Sequence, residues 1–219
     1  MEKSDIKQHF EDHQEEISSR LKEFKKLRDS PEQRKFKELV FVILTSQTDA
    51  EKAWSATEKL GENDLIINGD KKEISQVLEQ NDINYPENKS GYIVENRETL
   101  SQPTLVNPEK ELKISDKIDE EDLDKSRTWF AENMKGMGLK GASHFLRNIG
   151  YGNEFAIVSG HIVNILCDLK LLENSEPPEN REKYLEIENK VRTLSQDLEI
   201  GVKELDLVLW SMRTGKVFK

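Results

Sequence analysis

The chain contains one cysteine, Cys167, in 219 residues. That excludes an internal disulfide, a cysteine-based zinc site and a cysteine-ligated iron–sulfur cluster. Its neighbours Ile165, Leu166 and Leu169 are apolar, so Cys167 reads as a buried thiol of an intracellular, reducing compartment. Long apolar runs are missing as well: no stretch approaches the roughly 20 residues of a membrane helix, and no membrane partner is expected. The opening MEKSDIKQHFEDHQEE is charged and has no apolar core, so it does not read as a secretory signal. Positive charge is in short supply. Lys and Arg total 33 against 43 Asp and Glu, a net charge of −10. This surplus counts against non-specific nucleic-acid binding and leaves a local basic face on an acidic body as the route to such a partner. Clear strand alternation is absent throughout, as are internal repeats and low-complexity tracts.

What is present is helical periodicity. Residues 7–27 place Ile6, Phe10, Ile17, Leu21 and Phe24 near a 3.6-residue repeat. Ser30-Pro31-Glu32-Gln33 reads as a capping box with proline at the first helical position. The helix it opens carries Leu39-Val40-Phe41-Val42-Ile43-Leu44, apolar on all sides and therefore buried. Thr48-Asp49-Ala50-Glu51 is a second capping box, opening a helix closed by Gly61. Helices follow at about 72–80 and 89–99, then a loop over 101–118 with Pro103 and Pro108. Further helices are expected at about 119–134, from the hairpin to 150, and at 156–171, 179–197 and 202–213, with Pro177-Pro178 as a break. The fold class is all-α. The whole of 1–219 reads as one fold of two intertwined helical lobes rather than two sequential domains, with a hairpin at about 119–150.

Helix, Lys135-Gly136-Met137-Gly138-Leu139-Lys140-Gly141, then helix is the physical signature of a helix-hairpin-helix. Glycines let the backbone turn through positive φ and approach a partner closely. The amides of the turn and of the following helix N-terminus then form an anion site suited to a DNA phosphate. Glycine turns of this kind also occur as purely structural connections. Lys140, at the start of the second helix, is poorly placed for a cation in the helix dipole. A neutral amine there is a nucleophile able to form a Schiff base. A lysine that touches phosphate is the alternative.

The segment KGMGLKGASHFLRNIGY (Lys135 to Tyr151) resembles the hairpin of the archaeal-type, second-family 8-oxoguanine DNA glycosylase/AP lyases, of the helix-hairpin-helix superfamily. The C-terminal LEIENKVRTLSQDLEIGVKELDLVLWSMRTGKVFK and the earlier FKELVFVILTSQTDAEKAW are similar to the same family in order and spacing, from about residue 34 to 219. The resemblance implies a two-lobed glycosylase fold working in base excision repair on double-stranded DNA that contains 8-oxoguanine. Lys140 matches the nucleophile that attacks the deoxyribose C1′, expels the oxidised base and holds the sugar as an imine for β-elimination. Tyr85 and Trp210 match the aromatic positions that sandwich the flipped base, replacing the stacking it loses. Lys219 matches the family's C-terminal lysine, which helps read the lesion. Gln47 lies in a Ser-Gln-Thr segment like the one that fills the gap left by the flipped nucleotide. Lys135, Gly136 and Gly138 fall in the DNA-contacting hairpin, and His161 matches a family histidine. Trp210 as core, Tyr85 as a loop aromatic and His161 as a helix-start histidine are the plain structural alternatives. No cofactor and no metal are expected, and the protein is expected to act as a cytoplasmic monomer.

One departure stands out. The family pattern Ile-Ile-Asp-Arg-His-Ile reads here Ile157-Val158-Ser159-Gly160-His161-Ile162. Ser159 occupies the place of an aspartate whose charge stabilises the cation developing at C1′ and assists deprotonation of the lysine. Asp168 lies about two and a half turns further along the expected helix, too far to substitute. Two functions remain open on these grounds: a glycosylase with AP-lyase activity, attenuated at Ser159, and a catalytically silent lesion-binding or DNA-binding protein on the same fold.

Overall fold

The computed structural model describes residues 1–103, 110–152 and 154–219. It is all-α apart from one short strand pair. Contacts divide the chain into two compact units, 1–28 with 146–219, and 29–145.

The unit 29–145 begins with α2 (Glu32–Leu44), preceded in the chain by α1 (Lys3–Leu27). Residues Leu39 to Leu44 of α2 are all buried, as expected of a helix apolar on every side. Burying each such side chain is worth roughly 1.5–3 kcal/mol, so α2 is the core of this unit. Around it stand α3 (Ala50–Glu62), the single turn α4 (Leu65–Asn68), α5 (Lys71–Gln80) and α6 (Pro86–Leu100). Then come β1 (Ser101–Pro103) and β2 (Lys110–Leu112), a 3-10 turn Ser115–Lys117, α7 (Leu123–Asn133) and the start of α8 (Leu139–Asn148).

The other unit contains α1, the end of α8, α9 (Gly160–Asp168), α10 (Arg181–Leu198) and α11 (Val202–Thr214). Helix α11 packs against α1, α9 and α10. Its Leu205, Leu207, Val208 and Leu209 share a core with Ile6, Ile17 and Phe24 of α1.

Several boundaries differ from the sequence reading. The stretch 101–118 is not wholly loop: Ser101 pairs with Leu112 and Pro103 with Lys110 in an antiparallel ladder, while Pro108 lies outside the described residues. Three-residue strands are too short to show alternation, which is why none was legible. Helix α2 starts at Glu32, and the Glu32 carboxylate accepts from the Ile114 and Ser115 amides instead of closing a local box. The cap of α3 is Asp49 rather than Thr48, its side chain accepting from Glu51 and Lys52 amides. Gly61 falls inside the last turn of α3, which ends at Glu62 with Asn63 as its C-cap.

The largest change concerns 156–171, where only Gly160–Asp168 is helical. Residues Ala156, Ile157 and Val158 precede the helix, and side chains from α10 and α11 take up their backbone groups. Glu188 accepts the Ala156 amide at 3.3 Å, Asp206 accepts the Ile157 amide at 3.1 Å, and the Tyr184 hydroxyl donates to the Ala156 carbonyl at 3.1 Å. An apolar run alone does not distinguish a buried helix from a buried extended segment.

Asp206 also receives Arg147, whose other guanidinium nitrogens donate to the Asn148 side chain. Both partners are almost fully buried, at 4% and 3% side-chain exposure. Burial pushes the Asp206 carboxyl up, against the pull of Arg147 and the Ile157 amide. Asp206→Asn is expected to leave Arg147 buried without a counter-charge and to cost about 3–5 kcal/mol of stability. Urea unfolding measures it, and a loss below about 1 kcal/mol would show that the pair holds nothing together.

Candidate functional site

Within the unit 29–145, the expected residues fall on two loops that α6 holds. The first is the connection between α2 and α3, which carries Gln47. Gln47 is exposed and sits at φ 53°, in the left-handed region that non-glycine residues rarely adopt. Tyr85 stands before α6 at φ 59° and is 57% exposed. Pro86 follows it, and proline drives its predecessor toward extended backbone, so Tyr85 is doubly strained. The two residues meet: the Tyr85 hydroxyl donates to Gln47 Oε1 at 3.3 Å, and Asn84 donates to the Gln47 carbonyl.

The second loop is the hairpin between α7 and α8. Gly136 has φ 75°, and a Cβ there would lie 2.6 Å from the Tyr92 ring of α6, so only glycine fits. Gly138 corrects the sequence reading. It is not in the left-handed region, but it is exposed and nothing lies within 4 Å of where its Cβ would be. Its contribution is bare backbone open to a close partner rather than a special φ. Helical bonding starts here, the Ala142 amide donating to the Gly138 carbonyl at 2.9 Å. Amides in such a first turn point out of the helix. Lys135 is exposed, and so is Lys140, the second residue of α8.

Two residues of α6 were missed from sequence. Asn96, fully buried, accepts the Lys135 amide at 2.7 Å and donates to the Lys135 carbonyl at 3.0 Å, bracketing the hairpin entrance. Lys89, 4% exposed, donates to the Leu44 and Ser46 carbonyls at 3.0 and 2.6 Å and to Thr48 Oγ1 at 3.0 Å. Burial lowers its pKa to about 8. The signal that could have found them is helical spacing: Lys89, Ser90, Ile93, Asn96 and Leu100 form one buried face.

In the unit 1–28 with 146–219, Ser159 is the N-cap of α9. Its Oγ accepts the Ile162 amide at 3.4 Å, and its own amide donates to the Ile157 carbonyl at 2.6 Å. It is half-buried, and His161, the second helical residue, is exposed. Carboxylates do approach this segment, but Asp206 and Glu188 are committed to buried partners, and Asp168 pairs with Arg213. Each of these three carboxylates is thus engaged elsewhere. Trp210 is half-buried on α11, its ring near-parallel to Phe218 at 6.2 Å between centroids. Phe218 was also missed. With buried Val217 it seats the tail that ends at half-buried Lys219.

Two outcomes are expected. Asn96→Ala leaves the Lys135 amide and carbonyl without their partner, costs about 1–3 kcal/mol per group left unsatisfied and loosens the hairpin, read as faster amide exchange at Lys135. Unchanged exchange there would count against the bracket. For Lys89, the folded amine releases its proton near pH 8 while the unfolded one holds it to about 10.5. The unfolded state therefore binds more protons between these values, and stability rises with pH across the window. Thermal unfolding of the wild type relative to Lys89→Met, followed from pH 7 to about 10, checks the sign.

The model of the family described as 8-oxoguanine DNA glycosylase matches residues 17–200. The chain is 35% identical to an 8-oxoguanine DNA glycosylase/AP lyase of Fusobacterium nucleatum, over 99% of this chain and 97% of that one. It is 38% identical to the protein of that name from Korarchaeum cryptofilum, over 93% and 90% of the two chains. Among solved structures, it is similar to the Methanocaldococcus jannaschii 8-oxoguanine glycosylase/lyase in complex with 15mer DNA containing 8-oxoguanine, with TM-score 0.84, 30% identity and coverage of 98% and 99%. It is also similar to the 8-oxoguanine DNA glycosylase of Thermotoga maritima, with TM-score 0.85, 28% identity and coverage of 99% and 98%. The relatives' matches span the chain nearly end to end, the family model covers the hairpin and the capped segment at Ser159, and on that ground the chain belongs to the 8-oxoguanine DNA glycosylase family.

Proposed function

We propose that this chain is an 8-oxoguanine DNA glycosylase with AP-lyase activity, acting on double-stranded DNA that contains the lesion, and that Lys140 is its nucleophile. The observation that carries the reading is the exposed Lys140 in the first turn of α8, directly after a hairpin whose backbone is bare at Gly138. That turn offers amides to a phosphate and presents an amine beside it.

The steps follow from the residues. The hairpin holds the backbone of the damaged strand through phosphate contacts at Lys135, Gly136 and Gly138. The lesion nucleotide leaves the helix stack, and Gln47 occupies the gap. Tyr85 in one unit and Trp210 in the other are each a ring of the kind an unstacked base stacks on, and Lys219 is a donor for a base's polar edge. The Lys140 amine attacks C1′, its nitrogen bonding to the carbon as the bond to the base breaks with its electron pair. Loss of the amine proton and ring opening give the imine, and β-elimination cuts the strand on the 3′ side. His161 lies at the DNA face. The protein works as a monomer, in the cytoplasm. Among the described residues no helix is long and apolar enough to cross a membrane.

Ser159 slows the step in which positive charge builds at the sugar. A missing preorganised charge of this kind costs about 10²–10³ in rate. A silent lesion-binding protein is the competing reading, and the specific observation behind it is that Ser159 Oγ is engaged as a helix cap. Single-turnover cleavage of an end-labelled 8-oxoguanine:cytosine duplex, with and without borohydride, separates them. Cleavage and a trapped adduct are expected from the wild type and from neither in Lys140→Gln. Ser159→Asp is expected to raise the rate by about 10²–10³, with folding intact because both residues cap helices well. Tight lesion binding with cleavage only after Ser159→Asp would establish the silent scaffold instead.

A further inference from the structure

The connection from Thr45 to Asp49 has little backbone bonding of its own. The Thr45 amide donates to Phe41 at 3.0 Å as the cap of α2, but beyond it the Ser46 amide reaches the Ile43 carbonyl of α2 at 3.4 Å and the Thr48 amide the Thr45 carbonyl at 3.3 Å, the long end of the range. Gln47 nevertheless holds a left-handed conformation, which persists only where its surroundings over-determine it. Asn84 meets the turn from outside, its side chain donating to the Gln47 carbonyl and its amide to Thr48 Oγ1 at 3.3 Å, and one buried amine meets it from beneath at three points. Lys89 Nζ donates to the loop at Leu44, Ser46 and Thr48. The Leu44 carbonyl ends α2, where a helix favours a cation, and the last turn of α2 has no basic residue of its own. The backbone amide of the same lysine donates to the Tyr85 carbonyl at 3.0 Å. One residue thus ties the turn of Gln47 through its side chain and the strained Tyr85 through its backbone.

We infer that Lys89 is a positioning residue for lesion recognition: buried beneath the loop, its amine holds Gln47 in the left-handed turn and so sets how Gln47 and Tyr85 are presented to DNA. The inference rests on the reading of Gln47 as a DNA contact made above. It needs no contact between Lys89 and DNA, and its burial excludes one.

The experiment is a double-mutant cycle for binding an 8-oxoguanine duplex, in the full chain carrying Lys140→Gln so that no turnover intervenes. The variants are Lys89→Met, Gln47→Ala and the pair, with amide exchange of residues 45–49 measured on the DNA-free proteins. Lys89→Met is expected to speed exchange at 45–49 and to weaken lesion binding about tenfold. In the Gln47→Ala background the same change is expected to cost little more, since coupled residues are non-additive. Lys89→Arg, which retains donors, is expected to recover part of the affinity. If Lys89→Met does not fold, Thr48→Val removes one of the three acceptors and leaves the lysine in place, and exchange at 45–49 is again expected to rise. Unchanged exchange overturns the inference and leaves the DNA-contact reading standing. Faster exchange with fully additive affinity losses also overturns it, by making Lys89 structural. A Gln47→Ala variant that binds as tightly as its parent overturns the inference by removing the contact on which it rests.

Discussion

Backbone that leaves a helix or sheet still carries its amides and carbonyls, and where it is covered these must find partners. Each loop of the candidate site meets this constraint with polar side chains sent from neighbouring helices. In one unit, α6 sends Lys89 to the Gln47 turn and Asn96 to the hairpin entrance. Seven residues separate them on one helix, or about 10 Å at 1.5 Å per residue. A rigid helix of that length sets two otherwise independent loops at a fixed spacing. In the other unit, Glu188, Tyr184 and Asp206 do the same for the segment leading into Ser159. Of the candidate residues, Gln47, Tyr85, Lys135 and Ser159 lie outside the helices or at their edges, and the accuracy of those loops is supplied by buried polar groups behind them.

That arrangement explains which parts of the molecule were legible in the sequence. Helices that bury apolar stripes, such as α1 with Ile6, Ile17 and Phe24, announce themselves by period. The buried face of α6 does not, because it includes Lys89, Ser90 and Asn96, and a search for apolar residues at helical spacing passes over it. Ala156 to Val158 read as helix because the carboxylates that draw them into another conformation lie 30 to 50 positions away, at Glu188 and Asp206. The capping residue of α3 was misjudged by one position, within the ordinary spread of helix ends. As for the candidate site, the hairpin and its lysine follow from chemistry and spacing, while the aromatic pair, Gln47 and Lys219 came through resemblance. Lys89, Asn96 and Phe218 came through neither, since their roles exist only once the chain has folded.

The N-cap at Ser159 has a consequence for how such a chain changes over time. Serine and aspartate stand together among the best helix caps, so exchanging one for the other at the start of α9 leaves folding almost untouched. On the mechanism proposed above, a carboxylate at this position is therefore guarded by the reaction alone and by nothing in the stability of the molecule. Drift there can extinguish or restore chemistry without the protein ever passing through a poorly folded form, and a screen for expression or thermal robustness would be blind to the difference.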